Sequence, residues 1–333
     1  MIYIDTHSFD PYYHFGVEYY YAAVHPLPET VFLFWQTSPT LMVGKYQNAL
    51  EEINRDYVET HGIQVVRRMS GGGTIYTDFG GWQYSFIEAG DTGEIHFQRY
   101  ISPVIDALAE LGITVTFNGR NDLQIDGRKI SGNAQYKVGG YTVHHGSLLF
   151  DTDPTVIAAA TTVDAYKIVS KGIKSVRDRV TGIAAHLEKP LDAASFRTHM
   201  VRHLLGTGSV HVPTSEEEAA FEKIADERFR GYDNIYGASP RFTIERTARF
   251  PGGKVQWKLD VKKGVITEAA LSGDFFATEA ADRLPQVLKG CRYERQAVYA
   301  RLVESCSPDI LYGVTLSELA SSIADSSGTE TET

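Results

Sequence analysis

Two glycine-hinged basic segments carry the chemistry that this chain can do: Arg67-Arg68-Met69-Ser70-Gly71-Gly72-Gly73 and Gly127-Arg128-Lys129-Ile130-Ser131-Gly132. Each sets cationic side chains beside a backbone that can lie almost flush against a ligand, because glycine has no Cβ to hold it off. Between them, Gly119-Arg120-Asn121-Asp122 adds a carboxylate and an amide able to hold a metal ion. The formal net charge is −10. An acidic protein that gathers cations on glycine-rich loops is suited to a polyphosphate or an acyl phosphate, which points to an enzyme and to ATP.

The scaffold is not one of the familiar nucleotide folds, since the chain has no Walker A pattern and no G-x-G-x-x-G after a strand. A glycine triplet alone is equally well a flexible turn. Here Arg67 and Arg68 precede it on a predicted strand, whose alternation puts them on opposite faces. Arg68 is assigned the phosphate contact and Arg67 a structural one. Lys129 stands at the start of another predicted strand, where Arg128 and Lys129 must point oppositely. The plain reading is an exposed hairpin lysine. If turned inward it requires an anion, and an α-phosphate or an acyl carbonyl oxygen would suit it as an electrophilic stabiliser. Asn121-Asp122 is either a turn or a magnesium site completed by substrate phosphates. His144 and His145 face opposite ways on a strand, so the expectation is one packed and one site-lining histidine. No Cys/His cluster has zinc-ligand spacing. The run from Lys171 to Arg179 holds four cations in nine residues. It is a solvated loop, or a flap hinged at Gly172 that covers an anionic intermediate.

Composition bounds the rest. With 333 residues, 43% of them apolar and 22% charged, the chain can bury a real core in two domains, or in one with an appendage. Its acidity excludes a general nucleic-acid binder. Two cysteines, Cys291 and Cys306, fit a reducing compartment. Met1–Asp5 has neither the basic nor the apolar region of a signal peptide, and Val31–Trp35 is far too short to span a bilayer. The expected location is cytoplasmic.

The elements that must position these residues can be read in outline. Tyr13–Val24 reads as a buried helix, Thr30–Trp35 and Thr40–Gly44 as strands, and Leu50–His61 as a helix stopped by Gly62. Strands follow at Ile63–Arg68, Thr74–Thr77 and Trp82–Glu88. Phe97–Leu111 has helical periodicity, with Pro103 either a kink or the true first turn. An antiparallel set follows at Ile113–Phe117, Leu123–Ile125, Lys129–Val138 and Tyr141–Phe150, with Gly139-Gly140 as a two-residue hairpin turn. Pro154–Lys189 reads as helix and loop, Leu191–Leu205 as a helix, and Ser215 opens a charged helix by capping-box spacing. After Tyr236–Pro240, strands are predicted at Phe242–Phe250, Val255–Val261 and Val265–Leu271, then two or three helices. The fold class is α+β with a largely antiparallel sheet. Residues 325–333 lack apolar side chains and are expected to be disordered.

Several of these segments together resemble the lipoate–protein ligase A family. They are RRMSGGG with Tyr76-Thr77-Asp78, GRNDLQIDGRKISGNAQ, His144-His145-Gly146-Ser147, and KGIKSVRDRVT. Phe34-Trp35-Gln36, Gly44–Asn48, Tyr236–Pro240 and Gly273-Asp274-Phe275-Phe276 extend the resemblance over nearly the whole chain, in order. It implies a large catalytic domain of the biotin/lipoate ligase type (1–236), a hinge (237–242) and a small accessory α+β domain (243–324) that can swing against it.

It implies two reactions: lipoate and ATP give lipoyl-AMP and pyrophosphate, and the acyl group then passes to a lysine of a lipoyl domain. The acceptors would be 2-oxoacid dehydrogenase acyltransferase subunits or the glycine-cleavage H protein. Carried over, Arg68 and Gly73-Thr74-Ile75-Tyr76 would contact ATP. Lys129 would meet both the lipoyl carbonyl and the adenylate phosphate. Ser70, Gly71, Gly72 and His145 would border lipoate, Asp122 and Asn121 would hold Mg2+, and Lys171, Gly172, Lys174 and Arg177 would cover the adenylate. The chain departs from the family at Thr77, where His is frequent, at Gly81, where Asn is frequent, and at His14, where Asn is common; Glu18 is retained. An ATP-independent acyltransferase of the same fold would need a cysteine in the catalytic domain, and both cysteines lie in the predicted small one. A non-catalytic carrier binder would not need the intact Arg68, Gly73, Asp122 and Lys129.

Overall fold

A computed structural model describes residues 1–47, 49–90, 95–161, 178–237, 244–262, 265–293 and 295–324. The strands, in chain order, are β1 Ile2–Ile4, β2 Val31–Trp35, β3 Thr40–Val43, β4 Gln64–Arg67, β5 Ile75–Thr77, β6 Gly81–Ala89 and β7 Thr116–Phe117. They continue with β8 Asp122–Ile125, β9 Arg128–Val138, β10 Tyr141–Leu149, β11 Ser209–His211, β12 Ile244–Phe250, β13 Gly253–Lys262 and β14 Val265–Gly273. The α-helices are α1 Pro11–Tyr19, α2 Ala49–Glu52, α3 Arg55–Thr60, α4 Phe97–Ala109 and α5 Pro154–Ala160. Beyond them come α6 Ala193–Leu205, α7 Ser215–Arg228, α8 Leu284–Leu288, α9 Arg295–Ser305 and α10 Leu316–Ala324.

An eight-stranded sheet, in the order β11-β1-β2-β6-β10-β9-β8-β7, forms the frame. β1 runs parallel to β2 and β11, whereas β2 and β6 through β10 pair antiparallel. Gly139 and Gly140 both have positive φ, 61° and 80°, so the predicted hairpin turn forms between β9 and β10. β2 reads Val-Phe-Leu-Phe-Trp and is buried throughout because apolar layers cover both faces of the sheet. On one face Phe32, Phe34, Tyr84 and Phe86 meet Ile101, Val104 and Leu108 of α4 and Phe196 and Met200 of α6. Each such aliphatic side chain contributes about 1.5–3 kcal/mol by leaving water. On the other face Leu33, Trp35, Ile87 and Val143 meet Phe15 and Val17 of α1 and Phe221 of α7. This second layer includes Met42 and Val66 of a small sheet, β4-β3-β5. The site lies between the two sheets.

A separate core gathers β12–β14 and α8–α10 around Trp257, Leu259, Phe275, Leu302 and Ile323. This unit is joined to the rest through the segment after β14. Phe275 stacks on Tyr46 at 4.5 Å, the Gly72 amide donates to Phe275 O at 3.0 Å, and Lys45 pairs with Asp282 at 2.5 Å.

Several expectations shift. The helix read over Leu50–His61 is two short helices, because Ile53 leaves the helix to bridge Thr161. The strand at Ile113–Phe117 shrinks to its last two residues. β1 and β11, unmarked by any pattern, hold one sheet edge. Pro103 lies inside α4. The cap of α7 is Thr214, with Glu217 as its capping-box partner, one residue before the expected Ser215. Tyr236 and Gly237 end a short π-helix; the rest of the predicted hinge and the 325–333 tail lie outside the described residues. Among the described residues no helix is long and apolar enough to cross a membrane.

Candidate functional site

The inner face of the eight-stranded sheet forms the floor of the site. Gln83 of β6 pairs in register with Trp35 of β2 and with Ser147 of β10, and two residues further on Ser85 lies beside His145. β9 adds Ala134 opposite His145. The roof is the turn from β4 into Gly71-Gly72-Gly73, together with Met42 of β3. Between them lies a cavity of about 270 Å³, apolar at its inner end (Phe15, Trp35, Met42) and polar at its mouth (Arg120, Asp122, Lys129). A second cavity of about 500 Å³ adjoins it; Thr74, Ile75, Asp122, Lys129 and Ser147 border both. Tyr76, Leu149, Asp178 and Arg179 border the second alone.

Arg67 and Arg68 face opposite sides. The Arg67 guanidinium donates to the carbonyls of Gly44, Lys45, Gln47 and Ile235, which ties the small sheet to the segment after α7. Arg68 is 5% exposed and donates to Met42 O, Gly71 O, Gly73 O and the Ser70 hydroxyl. Four of its five N–H groups are thus used in shaping the glycine loop, and one on Nη1 remains for a ligand. Burial and the neighbouring Arg67 push Arg68 down to about 10, so it keeps its charge at neutral pH.

Ser70 joins a buried chain. Its hydroxyl donates to His145 Nε2 at 2.6 Å, and His145 Nδ1 lies 3.1 and 3.2 Å from the two oxygens of Glu18. A carboxylate at Nδ1 places the ring proton there and leaves Nε2 as the acceptor. Glu18 also accepts from Ser85 (2.6 Å) and Tyr136 (3.2 Å), and Ser85 in turn accepts from the Trp35 indole N–H (3.1 Å). His144 points to the opposite face, stacked on Tyr100 at 4.6 Å; its burial holds it well below the usual histidine range.

Lys129 Nζ stands 2.8 Å from Asp122 Oδ1. The anion that an inward lysine requires is therefore within the protein itself and not only in a ligand. β8 and β9 bring them together, with Asp122 opposite Gly132. A Cβ at Gly132 would come 2.9 Å from Lys129 Nζ, so the glycine leaves the lysine room to cross the strand. The ion pair lacks hydrogen-bond alignment, and among the described residues the buried Asp122 Oδ1 has no hydrogen-bond partner. Asn121 uses its amide N–H on Asn133 O, leaving its own oxygen for other partners.

The structure brings Arg68, Gly72, Gly73, Thr74, Ile75, Asn121, Asp122, Lys129 and His145 to one cavity, and places Tyr76 on the adjoining one. Ser70 reaches it through His145. Gly71 instead packs under the C-terminal unit, where a Cβ would meet Phe275 O at 2.0 Å. Lys171, Gly172, Lys174 and Arg177 lie outside the described residues; just beyond them, Val180 pairs with Lys129 and the Thr181 amide donates to Lys129 O. Sequence reasoning missed Gln83, whose Oε1 is buried at the cavity without a partner among the described residues. It also missed Arg120, which reaches Gly252 O and stands over the Phe276 ring. Gln83 lies on a strand read only for its apolar residues, and nothing local marks it.

A family model described as "Lipoyl protein ligase A/B catalytic domain" matches residues 10–205, and one described as "Bacterial lipoate protein ligase C-terminus" matches 239–323. The chain is 39% identical over 324 residues to lipoate-protein ligase LplJ of Bacillus subtilis, covering 95% of each. It is 38% identical to lipoate–protein ligase 1 of Staphylococcus aureus, covering 89% of this chain and 91% of that one. Among solved structures, LipL1 of P. falciparum in complex with lipoate superposes with a TM-score of 0.76 at 18% identity, over 91% of this chain and 94% of that one. A lipoate-protein ligase A bound with ATP superposes at 0.58 and 21% identity, over 68% and 94%. With matches that run through both the catalytic and the C-terminal segments, this chain belongs to the lipoate–protein ligase family.

Proposed function

We propose that the protein is an ATP-dependent lipoate–protein ligase that activates lipoate as lipoyl-AMP and transfers the lipoyl group to a lysine of a lipoyl domain. The observation that carries this reading is the pair of cavities that meet at Lys129 and Asp122. An acyl tail fits the inner, apolar-ended cavity, and the nucleotide fits the second, beside Tyr76 and Arg179. The carboxylate and the α-phosphate then meet at Lys129, where the adenylate bond forms.

In this reading Lys129 leaves Asp122 for the lipoyl carbonyl oxygen and the α-phosphate, and stabilises the negative charge that grows on both. The free N–H of Arg68 and the backbone of Gly73–Tyr76 contact the nucleotide. Gly72 and His145 border the acyl head group, and Ser70 holds His145 in place from behind. Asp122, with the Asn121 oxygen, would hold Mg2+; the fit is that of one carboxylate completed by phosphate oxygens, as magnesium prefers. When bound there, the ion would offset the charge on the departing pyrophosphate. Phe276 and Asp274 close the cavity from the C-terminal unit, which keeps water from the mixed anhydride. The acceptors are lipoyl domains of 2-oxoacid dehydrogenase acyltransferase subunits or the glycine-cleavage H protein, and the setting is cytoplasmic. Residues 1–236 act as the catalytic domain and 243–324 as the accessory one.

Intact-mass measurement of a purified lipoyl domain tests the proposal, after incubation with the protein, lipoate, ATP and Mg2+. A gain of one lipoyl group that requires ATP supports the ligase. Transfer from an acylated carrier without ATP would replace it with an acyltransferase.

A further inference from the structure

His14 touches none of the cavity, yet it backs one of the walls. It lies on α1, 1% exposed, with its imidazole stacked on the Trp35 indole at 4.4 Å and 26°. The ring is itself held: Nε2 donates to Ser8 O at 2.8 Å, and Nδ1 faces the Thr6 hydroxyl at 3.5 Å. Trp35 is therefore gripped on three sides. His14 covers its back, Phe15 meets it edge-on at 5.7 Å, and its N–H is tied to Ser85. The remaining face belongs to the inner, apolar end of the cavity.

We propose that His14 is a specificity-determining positioning residue: by backing Trp35 it fixes the depth of the inner cavity and excludes acyl chains longer than the eight-carbon backbone of lipoate. This rests on the reading of that cavity as the acyl slot. A packed aromatic wall moves only if there is space behind it. An imidazole in contact with the indole leaves none, and its two hydrogen bonds prevent it from swinging aside. A side chain without a ring at position 14 opens a gap into which Trp35 can retreat, so the slot deepens. Burial pushes His14 down to about 4, so the ring stays neutral and in place at physiological pH.

The experiment measures KM and kcat of adenylation for hexanoate, octanoate, decanoate, dodecanoate and lipoate, in the wild type and in His14→Ala, His14→Asn and His14→Phe. Melting temperature confirms the fold of each. The expected result is a KM for decanoate that falls about ten-fold in the Ala and Asn variants, the gain from burying roughly two more methylenes. The kcat with octanoate should change by less than about three-fold, because no reacting atom is touched. His14→Phe, which restores a stacked ring, should return the wild-type cut-off. If the Ala variant does not fold, the Asn and Phe variants give the same contrast. An identical chain-length profile in all folded variants overturns the proposal. If the wild type activates no acid of any length, the ligase reading itself has failed.

Discussion

The Ser70 hydroxyl and the His145 imidazole, 75 residues apart in the chain, meet at 2.6 Å between the two sheets. Through His145 the glycine loop is coupled to Glu18, a carboxylate with no exposure to solvent. His145→Ala removes the acceptor of one buried hydroxyl and a donor to one buried carboxylate. The expected cost is about 2–3 kcal/mol in chemical denaturation, with carboxylic-acid affinity about ten-fold weaker by calorimetry. Wild-type affinity in a destabilised variant would detach the chain from ligand binding.

Lys129→Ala tests the opposite combination. The lysine side chain is about one-third exposed and its pair with Asp122 partly open to water, so its loss should shift stability by less than about 1 kcal/mol. The rate of lipoyl-AMP formation should fall by at least about 100-fold, the usual effect of losing a donor to developing charge. Single-turnover measurement with ATP and lipoate distinguishes this from weaker binding.

Gly71→Ala acts on the joint between the two cores. The new methyl would sit 2.0 Å from Phe275 O, a backbone atom with no room to give. The adjacent bond from the Gly72 amide to Phe275 O should break. Calorimetry should resolve two unfolding transitions, and adenylate hydrolysis should rise relative to transfer as Phe276 leaves the cavity. An unchanged melting curve would show that the joint is looser than its contacts imply.

His14 also sets a pH dependence. Its folded value, about 4, lies below its ordinary 6.5 because burial disfavours the charged ring. The unfolded chain therefore binds more protons between these values, and stability present above pH 6.5 is lost as pH falls towards 4. The contribution is about 3 kcal/mol. His144 is displaced in the same direction, so the measurement is a difference. Urea midpoints should fall less steeply from pH 6.5 to 4.5 in His14→Asn than in the wild type. Parallel curves would refute the assignment to His14.

By itself the sequence determined the α+β class, the strands that carry Lys129 and His145, the opposed faces of Arg67 and Arg68, and the opposed faces of the two histidines. These follow from local rules: strand alternation puts neighbours on opposite faces, and Gly139-Gly140 forms a turn wherever it stands. Only the tertiary structure decided what these residues meet. Lys129 finds Asp122 because β8 and β9 pair in one register, and a slip of one strand by one residue would put the two side chains on opposite faces. Glu18, on a helix read only as buried, receives His145, Ser85 and Tyr136 from three strands whose order no local pattern encodes. The edge strand β11 and its neighbour β1 escaped notice because three residues carry too little periodicity. The predicted helix is interrupted at Ile53, which bridges Thr161 more than a hundred residues further along the chain, a contact that no local pattern encodes. Gln83 and His14 gain their significance from burial beside one cavity, which is a property of packing and not of any segment of sequence.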